Sequence, residues 1–325
     1  MYFLRLIRPL NLLIIAFTMY STRAFLFIYE HTFKIDLFQK GNEEFDFFLI
    51  VFSTLLIAAG GNIINDYFDV KADRINKPDK LIITKNISKK SAILSHWVLN
   101  VIALGIAIYL SIRNTTFWYV FIHLLSINAL WFYSMYFKRK PFIGNLIVAL
   151  LTALVPILCG IHFYIHNEFP IVEFTKINSP FTFWIFHLMA HGHYIFILAL
   201  FAFASNLARE IIKDIEDIEG DKLIYAKTLP LLYGVDKTKW LAGILLLLSP
   251  VLFSLLFFLK LENDSILKNN LILFTPVLVA LLLDIISIIL LVKAHTRKEL
   301  KKVDFLIKIA MLMGLLLPFY WIFFI

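Results

Sequence analysis

Apolar residues run along this chain in blocks of about twenty, each closed by a shorter polar stretch. A helix of that length crosses a hydrocarbon layer about 30 Å thick, so each block reads as a membrane span. Nine spans are predicted, at 11–29, 46–64, 92–112, 116–136, 141–163, 181–208, 239–259, 271–292 and 305–325. No linker rich in Pro, Gly or Ser and no low-complexity tract divides them. The expected fold is therefore all-α: a polytopic bundle of about nine transmembrane helices forming one domain over residues 1–325. Two connections, 65–91 and 209–238, are long and are predicted as loops that each open on an acidic cluster. The segment 164–180, with two prolines and mixed charge, is predicted as a loop on the other face.

Composition agrees with the pattern. Sixty per cent of residues are hydrophobic and 17% charged, against about a quarter charged in soluble domains. A net charge of +8 would point to nucleic acid in a soluble protein, but its distribution points to topology. Of the 31 Lys and Arg, 23 fall on one set of alternate connections and 6 on the other. The positive-inside rule places the first set in the cytoplasm, with the N-terminus inside and the C-terminus outside. A multi-pass protein of the cell membrane is expected, its basic residues meeting lipid headgroups, with no nucleic-acid partner. Arg5 and Arg8 precede the first apolar run, but no small-residue cleavage site follows, so the opening is not expected to be a cleaved signal. Cys159 is the sole cysteine, which precludes an internal disulfide.

The acids carry the chemistry. In "NDYFDVKAD", Asp66, Asp69 and Asp73 follow the second span; in "DIEDIEGD", Asp214, Asp217 and Asp221 follow the sixth with identical spacing. Positions i, i+3 and i+7 share one face of a helix. Three like charges on one stripe beside a membrane repel one another, and a divalent cation removes that cost. Mg²⁺ takes hard oxygen ligands, commonly one or two carboxylates plus substrate phosphates. Two facing clusters, each with its own metal, would clamp one diphosphate. Spans two and six run in the same direction, four spans apart, which suggests two related four-helix halves with a ninth helix appended.

Polar neighbours extend the picture. Asn62 lies one helical turn before Asp66, Asn65 beside it, and Gly60 and Gly61 permit close approach of a helix or ligand. Arg74, Lys77 and Lys80 follow the first cluster; Arg209 and Lys213 precede the second, with Lys222 and Lys227 after it. Such cations pair with phosphate oxygens. "YSMYFKRKPFIGN" adds Tyr133, Lys138 and Arg139 in a short turn. Weaker signals are "HGH" at His191–His193, read as ordinary polar residues, and the intramembrane charges Arg23 and Lys308, for either of which Asp284 is a candidate partner.

These motifs resemble those of the UbiA superfamily of membrane prenyltransferases. "NDYFDVKADRINKPDK" is similar to its first motif, "REIIKDIEDIEGDKLIYAKTLPLLYG" to its second, and "YSMYFKRKPFIGN" to the segment after its fourth helix. Within the superfamily the two acidic motifs are closest in style to the archaeal-type ether-lipid enzymes. The run "KPDKLIITKNIS" departs from relatives by lacking a Pro and a Gly. The resemblance implies a polyprenyl diphosphate donor, a lipophilic acceptor and Mg²⁺ on Asp66, Asp69, Asp73, Asp214, Asp217 and Asp221. It further implies diphosphate contacts from Asn65, Arg74, Lys138, Arg139, Arg209 and Lys213, with Asn62 and Tyr133 near the reacting carbon. A geranylgeranyl chain passing to the hydroxyl of a prenylglyceryl phosphate is the leading expectation. Transfer to an aromatic ring of a quinone precursor, or cation-coupled transport without bond-making, are the rivals.

Overall fold

A computed structural model of the chain describes residues 2–32, 43–76, 78, 81–166, 193–261 and 274–322. Among these residues the fold is helical, with one isolated β-bridge between Ile83 and Ile87. A short helix, α1 (Tyr2–Ile7), turns at Arg8 into α2 (Pro9–Thr32). Then come α3 (Glu43–Asn76), α4 (Lys89–Arg113) and α5 (Trp118–Met135), a 3₁₀ turn at Phe137–Arg139, and α6 (Ile143–His166). The second half holds α7 (His193–Glu216), the short α8 (Ile218–Leu223) and α9 (Leu229–Tyr233), and α10 (Val235–Leu261). It closes with α11 (Thr275–Lys293), α12 (Arg297–Leu315) and α13 (Leu317–Ile322).

Every predicted span falls on a helix where it is described. Six helices are long and apolar enough to cross a membrane among the described residues, so the count of nine is not reproduced by that criterion. The ninth span begins earlier than expected, at Arg297, and breaks at Leu316. Its start is set by a capping box: Thr296 accepts from the Glu299 N–H at 3.3 Å, while Glu299 accepts from the Thr296 N–H at 2.9 Å. The α4 N-terminus is capped likewise, Ser88 accepting from the Ser91 N–H at 3.1 Å.

A larger correction concerns the acidic segments. The first cluster does not lie on a loop: α3 is one helix of 34 residues that carries the whole of "NDYFDVKAD" beyond the apolar block. α7 likewise continues through Asp214 to Glu216, and Asp217 sits at the break before α8. α6 runs on to His166, and the remainder of 164–180 lies outside the described residues, as do His191 and Gly192.

Packing fixes these helices against one another. α3 lies along α4 and α5, and α6 along α7. Gly60 meets Asn100 of α4, and a Cβ added at Gly61 would stand 2.8 Å from Leu130 Cδ1 on α5. Both glycines therefore serve close helix contact. His96 is buried and hydrogen-bonds the Gly60 carbonyl at 2.9 Å. One apolar core joins α7, α10, α11 and α12 through Ile211, Ala242, Leu291 and Val303.

The end of the bundle remote from the acidic segments is also polar. Asp46 is buried, accepts from Asn114 at 3.2 Å, and faces Arg113 at 3.2 Å and His166 at 3.5 Å. Arg23 bonds Glu43 at 2.9 Å and also pairs with Glu44, which answers one of the intramembrane charges. Lys308 bonds Asp304 at 2.5 Å. Asp284 is the partner of neither: it is buried, and its Oδ1 has no hydrogen-bond partner among the described residues.

Gly61→Leu forces α5 away from α3. Overpacking of this kind costs about 1–3 kcal/mol, so the purified variant is expected to show a lower melting temperature in detergent. An unchanged value would show that Leu130 yields freely.

Candidate active site

A cavity of about 890 Å³ opens between α2, α3, α5, α6, α7 and α12. All six aspartates line it, together with Asn62, Asn65, Tyr133, Lys138, Arg139, Arg209 and Lys213. From the acids it extends between the spans to an apolar end at Ile57, Ile122 and Leu158. Along α3, Asp66 lies twelve residues from Thr54, another lining residue, a helical rise of about 18 Å. The cavity thus has an anionic mouth and a long, largely apolar interior.

Its electrostatic centre is Lys138, held in the 3₁₀ turn after α5. The ammonium pairs with Asp69 and donates to Asn65 Oδ1 at 3.2 Å. Burial alone would lower its pKa, but Asp69 and its neighbours outweigh that and raise it. Asp66, Asp214, Asp221 and Glu210 all feel the same charge. The turn is braced from the second half of the chain, where the Lys227 N–H bonds the Arg139 carbonyl at 2.9 Å. Tyr133 lines the same cavity, within electrostatic reach of Lys138, Glu210, Asp69 and Asp214.

The other carboxylates have partners that sequence reading did not supply. Arg8, at the elbow between α1 and α2, pairs with Asp66. Asn145 of α6 donates to Asp214 at 2.9 Å, and Arg297 of α12 donates to Asp217 at 2.9 Å. Burial pushes the Asp221 carboxyl up to about 6, with Asp217 adding to the rise and Lys138 opposing it.

Four of the expected residues make other contacts in the structure. Arg74 does not line the cavity: it is exposed and borders a separate depression with Pro78, Leu81, Thr84 and Lys85. Arg209 lines the cavity but is bound to Asp304 at 2.8 Å and to Asn206 at 2.7 Å, away from the aspartates. Lys213 bonds Glu210 at 2.5 Å. The Asn62 amide donates to the Ile7 carbonyl at 2.9 Å and so anchors the α1–α2 elbow. Lys77 and Lys80 lie outside the described residues.

Nor does either triplet form a finished metal site. Among the described residues no three acidic, His or Cys side chains converge closely enough to hold a metal by themselves. The second triplet straddles the break at Asp217 rather than one continuous helix. The donor set still suits Mg²⁺, which accepts one or two carboxylates when substrate phosphates and water complete its six oxygens.

An all-helical membrane bundle with two aspartate groups around a half-buried lysine, at the mouth of a largely apolar cavity, defines a class of intramembrane enzymes that handle lipid-linked diphosphates. The chain belongs to the UbiA prenyltransferase family, which it matches over residues 37–312. It is similar to the digeranylgeranylglyceryl phosphate synthase of Methanosphaera stadtmanae, 32% identical over 262 residues that cover 80% of this chain and 82% of that one. A solved structure from work on digeranylgeranylglyceryl phosphate synthase in membranes superposes with a TM-score of 0.62 at 26% identity, covering 98% and 96% of the two chains. A UbiA homolog from Archaeoglobus fulgidus, solved with GPP and Mg²⁺, shares the fold with a TM-score of 0.55 at 17% identity over 98% and 99%.

Arg8 and Arg297 orient carboxylates through charge-assisted bonds. Groups in that position commonly govern metal affinity by about 10–100-fold. Arg8→Gln and Arg297→Gln are expected to raise the Mg²⁺ concentration needed for half-maximal diphosphate binding by that factor. Titration of each variant with Mg²⁺ checks it, and an unshifted midpoint would make the two pairs incidental.

Proposed function

We propose that the protein transfers a geranylgeranyl group from its diphosphate to the free hydroxyl of a geranylgeranylglyceryl phosphate, at the cytoplasmic face of the cell membrane. One observation carries the reading: both aspartate groups and Lys138 meet at the mouth of a cavity that continues between the spans. The similarity to digeranylgeranylglyceryl phosphate synthases supports the acceptor, and the basic bias of the segments around the mouth supports the cytoplasmic side.

In this reading the diphosphate rests at the mouth and the isoprenoid tail fills the cavity toward Ile122 and Leu158. Asp66, Asp69, Asp73, Asp214, Asp217 and Asp221 would hold Mg²⁺, which supplies Lewis-acid charge to the leaving diphosphate when bound. Lys138 and Arg139 add cationic charge at the same place, where a partly buried site strengthens it. The bond between C1 and the diphosphate oxygen breaks, the acceptor oxygen bonds C1, and the hydroxyl proton passes to the released diphosphate. Tyr133, which lines the cavity, would stabilise the cation that develops at C1. The walls from α3, α5 and α6 keep water from that carbon, which would otherwise form the prenyl alcohol.

Purified protein with Mg²⁺ and geranylgeranyl diphosphate is expected to convert geranylgeranylglyceryl phosphate into the doubly prenylated ether, identified by mass. Prenylation of 4-hydroxybenzoate or 1,4-dihydroxy-2-naphthoate in its place would refute the acceptor while keeping the chemistry. Chelation of Mg²⁺ should abolish turnover. Asp66→Ala, Asp69→Ala, Asp214→Ala and Asp217→Ala should each lower kcat by about 10²–10³-fold, within the range for lost electrostatic stabilisation of a leaving group. Near-normal turnover in all four would sink the metal-clamp assignment.

A further inference from the structure

We infer that the acceptor's phosphate binds on the wall of the cavity made by α1 and the 81–87 turn, where Arg5 and Lys85 hold it. This rests on the acceptor proposed above and adds the residues that distinguish a phosphorylated acceptor from a neutral one.

Eight basic side chains line the cavity, and most are already engaged. Arg8 and Lys138 are paired with the aspartates of α3. Arg209 and Lys308 share Asp304, and Lys213 is bound to Glu210. Arg139 sits in the turn that also carries Lys138, beside the acids. Arg5 and Lys85 differ from these. Arg5 and Lys85 are exposed, and among the described residues neither has a carboxylate partner; Lys85 donates to the Pro78 carbonyl at 2.8 Å. Their positive charge is therefore uncompensated by any described acid.

The wall that presents them is built rather than loose. Leu6 and Ile83 are fully buried in one apolar cluster with Ile63, Val70 and Ala92, which locks α1 and the turn onto α3 and α4. Val70 follows Asp69 directly, so α1 is docked at the height of the first acidic group. The turn itself is tight: the Thr84 N–H bonds the Ile87 carbonyl and the Asn86 N–H bonds the Ile82 carbonyl, both at 2.9 Å. Thr84 has φ +80°, a left-handed conformation that is costly for a β-branched residue. Strain of this kind is kept where the surroundings over-determine it, often at ligand-holding turns. Here it sets Lys85 and Asn86 at the cavity edge.

The geometry suits an amphiphile. A monoprenylated glycerol phosphate in the leaflet carries its chain among the acyl tails and its phosphate at headgroup level. α1 ends immediately before the first span, so Arg5 lies at that level, while Arg8 ties the same elbow to Asp66. A phosphate held by Arg5 and Lys85 leaves the glycerol hydroxyl directed toward the aspartates and the donor's C1. Lys138 and Arg139, beside the aspartates, are left to the leaving diphosphate.

The test compares geranylgeranylglyceryl phosphate with unphosphorylated geranylgeranylglycerol, in neutral detergent with and without anionic phospholipid. For the wild type the phosphorylated acceptor should have the lower KM. The double variant Arg5→Gln, Lys85→Gln should raise that KM about 10–100-fold, the loss expected for charge-assisted phosphate contacts. The donor KM and the KM of the neutral acceptor should stay within about twofold. Lys85→Arg should retain the low KM, because the cation is preserved. An unchanged acceptor KM in the double variant would overturn the inference, as would an equal rise for both acceptors. A shift seen only with phospholipid present would assign these cations to headgroups and overturn it too, and a selective rise from Lys308→Met instead would move the phosphate to the opposite wall. If the wild type forms no ether product, the acceptor reading itself falls; ether product with an unaltered variant sinks this inference alone.

Discussion

Six aspartates facing one cavity at the edge of a hydrocarbon layer repel one another, and much of the surrounding structure answers that repulsion. Each answer comes from a different part of the chain: Arg8 from the first elbow, Lys138 from the turn after α5, Asn145 from α6 and Arg297 from α12. Because these partners are dispersed, the acidic mouth can form only when both halves of the bundle are assembled. The charge that makes the site chemically useful is thus also a constraint that ties the helices together. A buried charge with its partner removed is costly, so the pairs resist separation even though each ion pair by itself adds modest stability.

The same pairs bear on how the site works. Lysine and arginine hold the aspartates in place, while burial still raises the pKa of the Asp221 carboxyl. In the proposed reading, a polyanionic substrate bringing its metal would add positive charge beside these carboxylates. Substrate and site then compensate one another, which favours the loaded state without a rigid, preformed metal cage.

The aspartates were legible in the sequence because helical spacing is a local property. Asp66, Asp69 and Asp73, repeated as Asp214, Asp217 and Asp221, needed only the period of a helix and the end of an apolar block. The apolar blocks gave the helices themselves, though not their ends: charged and polar residues continue α3 well past Ile64, where a hydropathy reading stops. The partners of the acids were not legible, since Arg8, Asn145 and Arg297 lie 58, 69 and 80 residues from Asp66, Asp214 and Asp217. Arg74 was misplaced for the converse reason. One residue after Asp73, it points away from the stripe that the acids share, since neighbours i and i+1 on a helix do not face alike. Asn62 was close to its expected place, but the fold uses its amide to hold Ile7.

α3 is a continuous rod of about 51 Å, far longer than the layer it crosses. Its aspartates are therefore at a fixed distance from the glycines that seat it in the bundle and from Asp46 at the other end. A membrane that thickens or thins around this rod changes how deeply the carboxylates sit relative to water. The hydration of the mouth, and with it the ease of charging and discharging the site, is in this way tied to the lipid that surrounds the protein. For an enzyme proposed to make membrane lipid, the product would then tune the environment of its own maker.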